Sequence, residues 1–69
     1  MDSREIDKRF TYHSPKEGQP ERYATLRNYA RSYAQAIVQL TPVSREQSLA
    51  LTALEEAVMW ANASIARNE

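Results

Sequence analysis

The chain has 69 residues, a formal net charge of zero and no cysteine. This length fits one small domain, and the lack of cysteine excludes disulfides and thiolate metal sites. A single histidine and the absence of a long apolar run predict neither a metal site nor a membrane span. We expect one domain over residues 1–69, in the cytoplasm, that needs no cofactor.

The first predicted helix spans about residues 3–11. Asp2 or Ser3 supplies a side-chain cap at its start. Ile6 and Phe10 lie four residues apart and therefore share one helix face. The helix is short, so its stability depends on packing against the rest of the chain.

The second predicted helix spans about residues 19–40, after a connection of about nine residues at positions 12–20. The connection contains two prolines and the only glycine, which interrupt a continuous helix. Gly18 or Gln19 caps the second helix, and Pro20 occupies its first turn, where a missing N–H costs nothing. Its apolar residues follow an alternating three-and-four spacing that lines one face: Tyr23, Leu26, Ala30, Tyr33, Ile37 and Leu40.

The third predicted helix spans about residues 45–67. Pro42 ends the second helix, and Ser44 followed by Gln47 is the pattern of a capping box. One face of this helix carries a second apolar stripe: Leu51, Leu54, Val58, Ala61 and Ile65. The sequence therefore predicts an all-α fold in which a short N-terminal helix precedes a long antiparallel two-helix hairpin.

The third helix also carries an outer stripe, which we define as Ala50, Ala53, Ala57, Trp60 and Ser64. Two helices cover each other on one side only, and a core of this size contributes only about 3 to 5 kcal/mol. We therefore expect the hairpin to assemble into a homo-oligomeric helical bundle, with Trp60 as an interface anchor. The alternative is that alanine is present here only for its helix propensity.

No residue pattern in the chain indicates catalysis. His13 has no neighbour in sequence of the kind that activates a general base, and Glu55 and Glu56 point about 100° apart on a helix. We expect no catalytic residue and no enzyme. A DNA-binding role is also disfavoured, because the chain has no basic excess and its third helix is acidic and rich in alanine.

Aromatic rings and cations suited to a nucleotide are concentrated in the first half of the chain. Flat rings stack on bases, while an arginine fork pairs with phosphate oxygens. The alternative is that Phe10 and Tyr23 pack the first helix onto the hairpin. The rings are those of Phe10, Tyr12, His13 and Tyr23, and the cations are those of Lys16, Arg22 and Arg27.

Four stretches carry a resemblance to a known family: RFTYHSP at 9–15, GQPERY at 18–23, SREQSLALT at 44–52 and EEAVMWANA at 55–63. They resemble the small phage proteins that counter CBASS immunity by sequestering cyclic oligonucleotides. The resemblance implies a helical homohexamer that acts in the cytoplasm of the infected bacterial host. It implies binding of cyclic dinucleotides, such as cyclic GMP-AMP, between subunits and of cyclic trinucleotides in separate pockets, with release of intact ligand.

Within the resemblance, Tyr12 corresponds to the ring that stacks on a base and Arg27 to the phosphate contact. The other candidates for this site are His13, Lys16, Phe10 and Tyr23. Arg67 and Asn62 are the candidates for a trinucleotide pocket.

A second function class stays open. In that alternative the protein is a structural or regulatory helical interaction module without a nucleotide ligand, and Ala53, Ala57 and Trp60 dock a different protein.

Overall fold

A computed structural model describes residues 2–69, and within that range it contains three helices and no strand. Helix α1 spans Ser3–Phe10, α2 spans Gln19–Leu40 and α3 spans Arg45–Asn68. The all-α prediction is confirmed. Helix α1 ends one residue before the predicted bound and α3 ends one residue beyond it, which is within the normal variation of helix ends. None of the three helices has both the length and the apolar character needed to cross a bilayer.

Side-chain caps begin α1 and α3 as the sequence predicts. The Asp2 carboxylate accepts a hydrogen bond from the Glu5 N–H at 2.9 Å, and the Ser44 hydroxyl accepts one from the Gln47 N–H at 3.1 Å. The Gln47 side chain departs from a full capping box, because its Nε2 donates to the carbonyl and the hydroxyl of Thr41. The same side chain therefore ties the start of α3 to the end of α2.

The inward face of the hairpin is half-buried along both long helices. In α2, Tyr33 and Leu40 leave the predicted stripe, since 63% and 82% of their surfaces remain exposed. The predicted stripe repeats every 3.5 residues, whereas a straight helix repeats every 3.6, so the stripe drifts about 20° per seven residues. The half-buried residues are Tyr23, Leu26, Ala30, Ala34 and Ile37 of α2 with Leu51, Leu54, Val58, Ala61 and Ile65 of α3.

The hairpin is one helix thick. Its extents are 46 × 30 × 12 Å, and 12 Å is about the diameter of a single helix with its side chains. The radius of gyration is 15.4 Å, whereas a compact domain of this length has about 11 Å. The chain exposes 5750 Å², against about 4,400 Å² for a compact protein of its mass. Within residues 2–69 no apolar side chain is fully buried.

Candidate ligand-binding site

A groove lies between the first turns of α2 and the last turns of α3. It is a shallow, open groove of about 410 Å³ that is lined by Tyr23, Arg27, Asn62, Ala63 and Ala66. Tyr23 and Arg27 are four residues apart on α2 and so project from the same face. The two alanines leave the α3 side of the groove open. The structure thus brings together two residues predicted for a dinucleotide site and one predicted for a trinucleotide pocket. We call this space the Arg27 groove.

A larger apolar groove continues from the Arg27 groove along the hairpin. It encloses about 570 Å³, and Arg27 and Asn62 line both spaces. The Oδ1 atom of Asn62 is buried and has no hydrogen-bond partner. An unpaired buried acceptor is costly, so this oxygen favours a donor from another molecule. The rest of the lining is Ala30, Arg31, Ala34, Leu51, Leu54, Glu55, Val58 and Met59.

A third groove separates α1 from the end of α3 and holds Phe10 and Arg67. It encloses about 570 Å³ and combines two rings with three cations. Phe10 is 84% exposed, so it lines this open space instead of sealing α1 onto the hairpin. The remaining lining residues are Glu5, Lys8, Arg9, Trp60, Ala63, Ser64 and Asn68.

Lys8, Arg9 and Trp60 are functional candidates that the sequence analysis did not assign to a ligand. Lys8 and Arg9 lie in the last turn of α1, next to Phe10. Two cations beside an aromatic ring in the sequence were the pattern that could have indicated a ligand site here. Arg9 donates from Nε to Glu5 at 3.1 Å. The Trp60 Nε1 donates to Glu56 at 3.2 Å. The indole ring itself remains exposed.

Residues 11–18, which we call the connecting segment, carry three further predicted site residues. Tyr12 is 82% exposed and lines none of the three grooves. His13 is half-buried, and its Nε2 is buried without a hydrogen-bond partner. Lys16 donates from Nζ to the main-chain oxygen of Glu69. Within one chain, therefore, Tyr12 and His13 stand apart from Arg27.

Arg22 and Glu69 form an ion pair between the start of α2 and the residue that follows α3. The Arg22 Nη1 donates to Glu69 Oε2 at 2.8 Å, and Nη2 donates to Oε1, which makes the pair bidentate. The hydrogen bonds from Arg22 lower the pKa of the Glu69 carboxyl, and the same contact raises the pKa of Arg22. Arg22, a predicted phosphate contact, is thus engaged by a carboxylate in this structure.

Gln19 is the only fully buried residue of positions 2–69, with 2% of its surface exposed. Its Oε1 accepts a hydrogen bond from the Lys16 N–H at 2.9 Å, and its own N–H donates to the Lys16 carbonyl at 3.1 Å. Gly18 or Gln19 was the expected cap of α2; the cap is Gly18, and Gln19 is the first residue of the helix. No sequence signal distinguishes a buried glutamine from an exposed one at such a position.

These features define a class of protein. It is a thin helical hairpin whose grooves combine aromatic rings, arginines and an unpaired amide oxygen, a set of groups suited to anionic aromatic ligands. Within residues 2–69 no group of histidines and carboxylates is placed to hold a metal ion.

The chain matches the family model described as "Acb2/Tad1, hairpin domain" over residues 2–66. It belongs to this family, which is the anti-CBASS cyclic-oligonucleotide sponge family. The resemblance noted from the sequence is thereby confirmed. Members of the family are sponges that bind cyclic oligonucleotides. No curated protein and no solved structure matches the chain.

Proposed function

We propose that this protein sequesters cyclic dinucleotides such as cyclic GMP-AMP inside the infected bacterial cell and keeps them from CBASS effectors. The observation that carries the proposal is the Arg27 groove in a member of the sponge family. The guanidinium of Arg27 suits phosphate oxygens, Tyr23 offers a ring for a base, and the Asn62 oxygen accepts a donor from a base edge. A guest that carries both bases and phosphates satisfies all three groups.

In this proposal Tyr12 stacks on a base and meets Arg27 of a neighbouring subunit. The two residues line no common groove among those described in one chain, so a second subunit is needed to bring them together. A cyclic dinucleotide has two bases and two phosphates related by an approximate two-fold axis. A symmetric pair of subunits presents the same ring and cation twice to such a ligand. His13 and Lys16 accompany Tyr12 on the connecting segment.

The proposed assembly is a symmetric homo-oligomer, with six subunits as the resemblance implies. It is supported by the single-helix thickness and by the exposure of the outer stripe, in which Trp60 is 57% exposed. We expect Ala57→Glu to lower the native mass at micromolar concentration, because a charge would be buried at the interface. Ser32→Glu, on the exposed side of α2, serves as the control. A wild-type protein that sediments as a stable single chain would contradict the assembly.

A separate pocket for cyclic trinucleotides is the second part of the proposal. Arg67 lines the groove between α1 and α3, where Lys8 and Arg9 add positive charge. Asn62 lines the Arg27 groove instead, so the two candidates meet only if an assembly joins different grooves. Arg67→Ala is expected to weaken trinucleotide binding while dinucleotide binding persists, as a separate titration with each ligand would reveal.

The decisive experiment is retention and release of ligand. The purified protein is mixed with a panel of cyclic di- and trinucleotides, separated from free ligand, and then unfolded by heat. Mass spectrometry of the released material is expected to find intact cyclic dinucleotide. Recovery of linear or cleaved products would instead identify an enzyme, and retention of no cyclic nucleotide would reject the proposal.

The alternative class is an interaction module that docks a different protein through Ala53, Ala57 and Trp60. The exposure of these residues in one chain is the observation that favours it. This class would be supported over the sponge by a stable complex with another protein that contains no retained nucleotide. Substitutions in the outer stripe should then disrupt that complex.

A further inference from the structure

Four residues that lie far apart in sequence meet where α2 begins and α3 ends. We call this set the Glu69 clamp: Lys16, Gln19, Arg22 and Glu69. Glu69 is 53 residues from Lys16 and 47 residues from Arg22, and it contacts both. The clamp therefore joins the connecting segment, α2 and α3 at one point.

The clamp fixes the second half of the connecting segment in two ways. Gln19 exchanges hydrogen bonds with the N–H and the carbonyl of Lys16, and it is buried while doing so. The main-chain oxygen of Glu69 accepts a hydrogen bond from the Lys16 side chain, while the Glu69 carboxylate pairs with the Arg22 guanidinium and so keeps that main-chain oxygen beside Lys16. Arg22 in turn donates to the Gly18 carbonyl from its main-chain N–H at 3.4 Å.

The first half of the connecting segment has a different character. Tyr12 is exposed, and the buried Nε2 of His13 lacks a partner. Within the described residues, the ring proposed for base stacking thus lies in the half of the segment that the clamp does not contact. A ligand that needs Tyr12 in one place must order this stretch, and ordering costs affinity unless the protein has already restricted it.

We propose that Gln19 and Glu69 are positioning residues that hold the connecting segment in place before ligand arrives, and so raise affinity without touching the ligand. This inference rests on the proposed function. It assigns a binding role to two side chains that line none of the three grooves. It also explains why, among residues 2–69, the fully buried residue is a polar one.

A competing role for the same geometry has the opposite consequence. Arginine and lysine around a carboxylate form the arrangement that also binds a phosphate. If Glu69 merely occupied a phosphate site in the free protein, its removal would strengthen ligand binding. The positioning role predicts the reverse, so the direction of the change decides between the two.

The first arm of the test uses ligand-free protein. Hydrogen exchange of the amides of residues 11–18 is measured in the wild type, in Gln19→Ala and in Glu69→Gln. We expect faster exchange in both variants. Glu17→Gln is the matched control, since it removes the same charge from an exposed position in the same segment and should leave exchange unchanged. Unchanged exchange in Glu69→Gln, an exposed substitution that spares the fold, would overturn the inference.

The second arm measures the affinity for cyclic GMP-AMP by calorimetry. We expect Glu69→Gln and Gln19→Ala to weaken it about fivefold to tenfold, the size expected when one or two additional side chains must be ordered on binding. Stronger or unchanged binding by Glu69→Gln would overturn the positioning role. If the wild type binds no probe, the proposed function fails, whereas the exchange arm still decides whether the clamp orders the segment.

A charge exchange separates positioning from direct ligand contact. Arg22→Glu alone and Glu69→Arg alone each place two like charges together. Each single variant should therefore speed the hydrogen exchange of residues 11–18. The double variant restores the pair with its ends reversed and suits both helix dipoles, because the acid then lies at a helix start and the base at a helix end. We expect it to recover both slow exchange and affinity. Recovery of exchange without affinity would show that Arg22 contacts the ligand itself and would overturn the assignment.

Discussion

The two ends of the hairpin are built on different principles. At the turn end, residues 41–47, every side-chain hydrogen bond joins residues at most six positions apart. At the open end, where the connecting segment meets the start of α2 and the end of α3, the Glu69 clamp joins residues 47 and 53 positions apart. Local contacts make a turn that needs no partner. Distant contacts make an end whose shape depends on how the two helices are aligned.

The difference extends to the groups that bind. Rings, arginines and unpaired polar atoms collect toward the open end and beside it, in the Arg27 groove and the groove that contains Arg67. The turn end shows apolar exposure instead, as at Val43 and Leu40. Local hydrogen bonds at the turn hold the two helices together. The groups at the open end can therefore contact a ligand or a second subunit.

Site variants are expected to give the largest contrast between the two ends. Arg27→Ala removes a charged hydrogen-bonding group and should weaken cyclic dinucleotide binding by about 1.5 to 3 kcal/mol. Tyr12→Ala should weaken it as well, through loss of base stacking worth about 1 to 3 kcal/mol. Calorimetry is performed on variants that keep the wild-type mass. Arg45→Ala makes the same change at the turn end and should bind normally, whereas unchanged affinity in both site variants would refute the assignment.

The backbone at Gly18 offers the next largest effect. Gly18 has φ of 82°, in the left-handed region, and nothing lies near the position of an added Cβ. Gly18→Ala should therefore destabilise the protein by about 1 to 2 kcal/mol through backbone strain alone. Urea unfolding at one protein concentration measures this. Gly18→Asn, whose side chain tolerates this region better, should cost less; an equal cost would point to a lost contact instead of strain.

The cap of α3 gives a smaller effect at the opposite end. Ser44→Ala removes the acceptor for the Gln47 N–H and should cost about 1 kcal/mol, or about 4 to 8 °C in the midpoint of thermal unfolding. Ligand affinity should not change. Ser48→Ala, on the same helix, is the control and should retain or raise stability, because alanine is the better helix former. A loss of affinity in Ser44→Ala would show that the two ends are coupled.

The pH dependence of the Glu69 clamp is the smallest effect expected. The pKa of the Glu69 carboxyl is lowered by Arg22, so the pair contributes stability above the ordinary glutamate pKa and loses it as the pH falls through the lowered value. The difference in unfolding midpoint between wild type and Glu69→Gln should be present near neutral pH and close in acid. Because the pair is exposed, salt should also reduce the difference. A difference that persists in acid would mean that the carboxylate is not its source.

Sequence patterns predicted the helices well because helices are local. The Ser44 and Asp2 caps act on N–H groups three residues away, and the apolar spacing of α3 matches its half-buried face. The same reasoning erred for Tyr33 and Leu40, which lie at the edge of the α2 face, about 80° and about 100° around the helix from Tyr23, while Ile37 between them is half-buried. For the site, residue type and position in the first half of the chain grouped Tyr23 with Arg27, but they gave no indication that Asn62 lies across the same groove.

The chain's sequence by itself determined three helices, their caps, the hairpin turn and an excess of apolar surface, since each depends on residues within about one or two turns of one another. Only the tertiary structure decided that Asn62 shares a groove with Arg27, that Tyr12 does not, and that Glu69 ties Lys16 to Arg22. Periodicity specifies which face of a helix is apolar. It leaves open how far one helix slides along the other, and that alignment sets the contacts of Glu69 with Lys16 and Arg22.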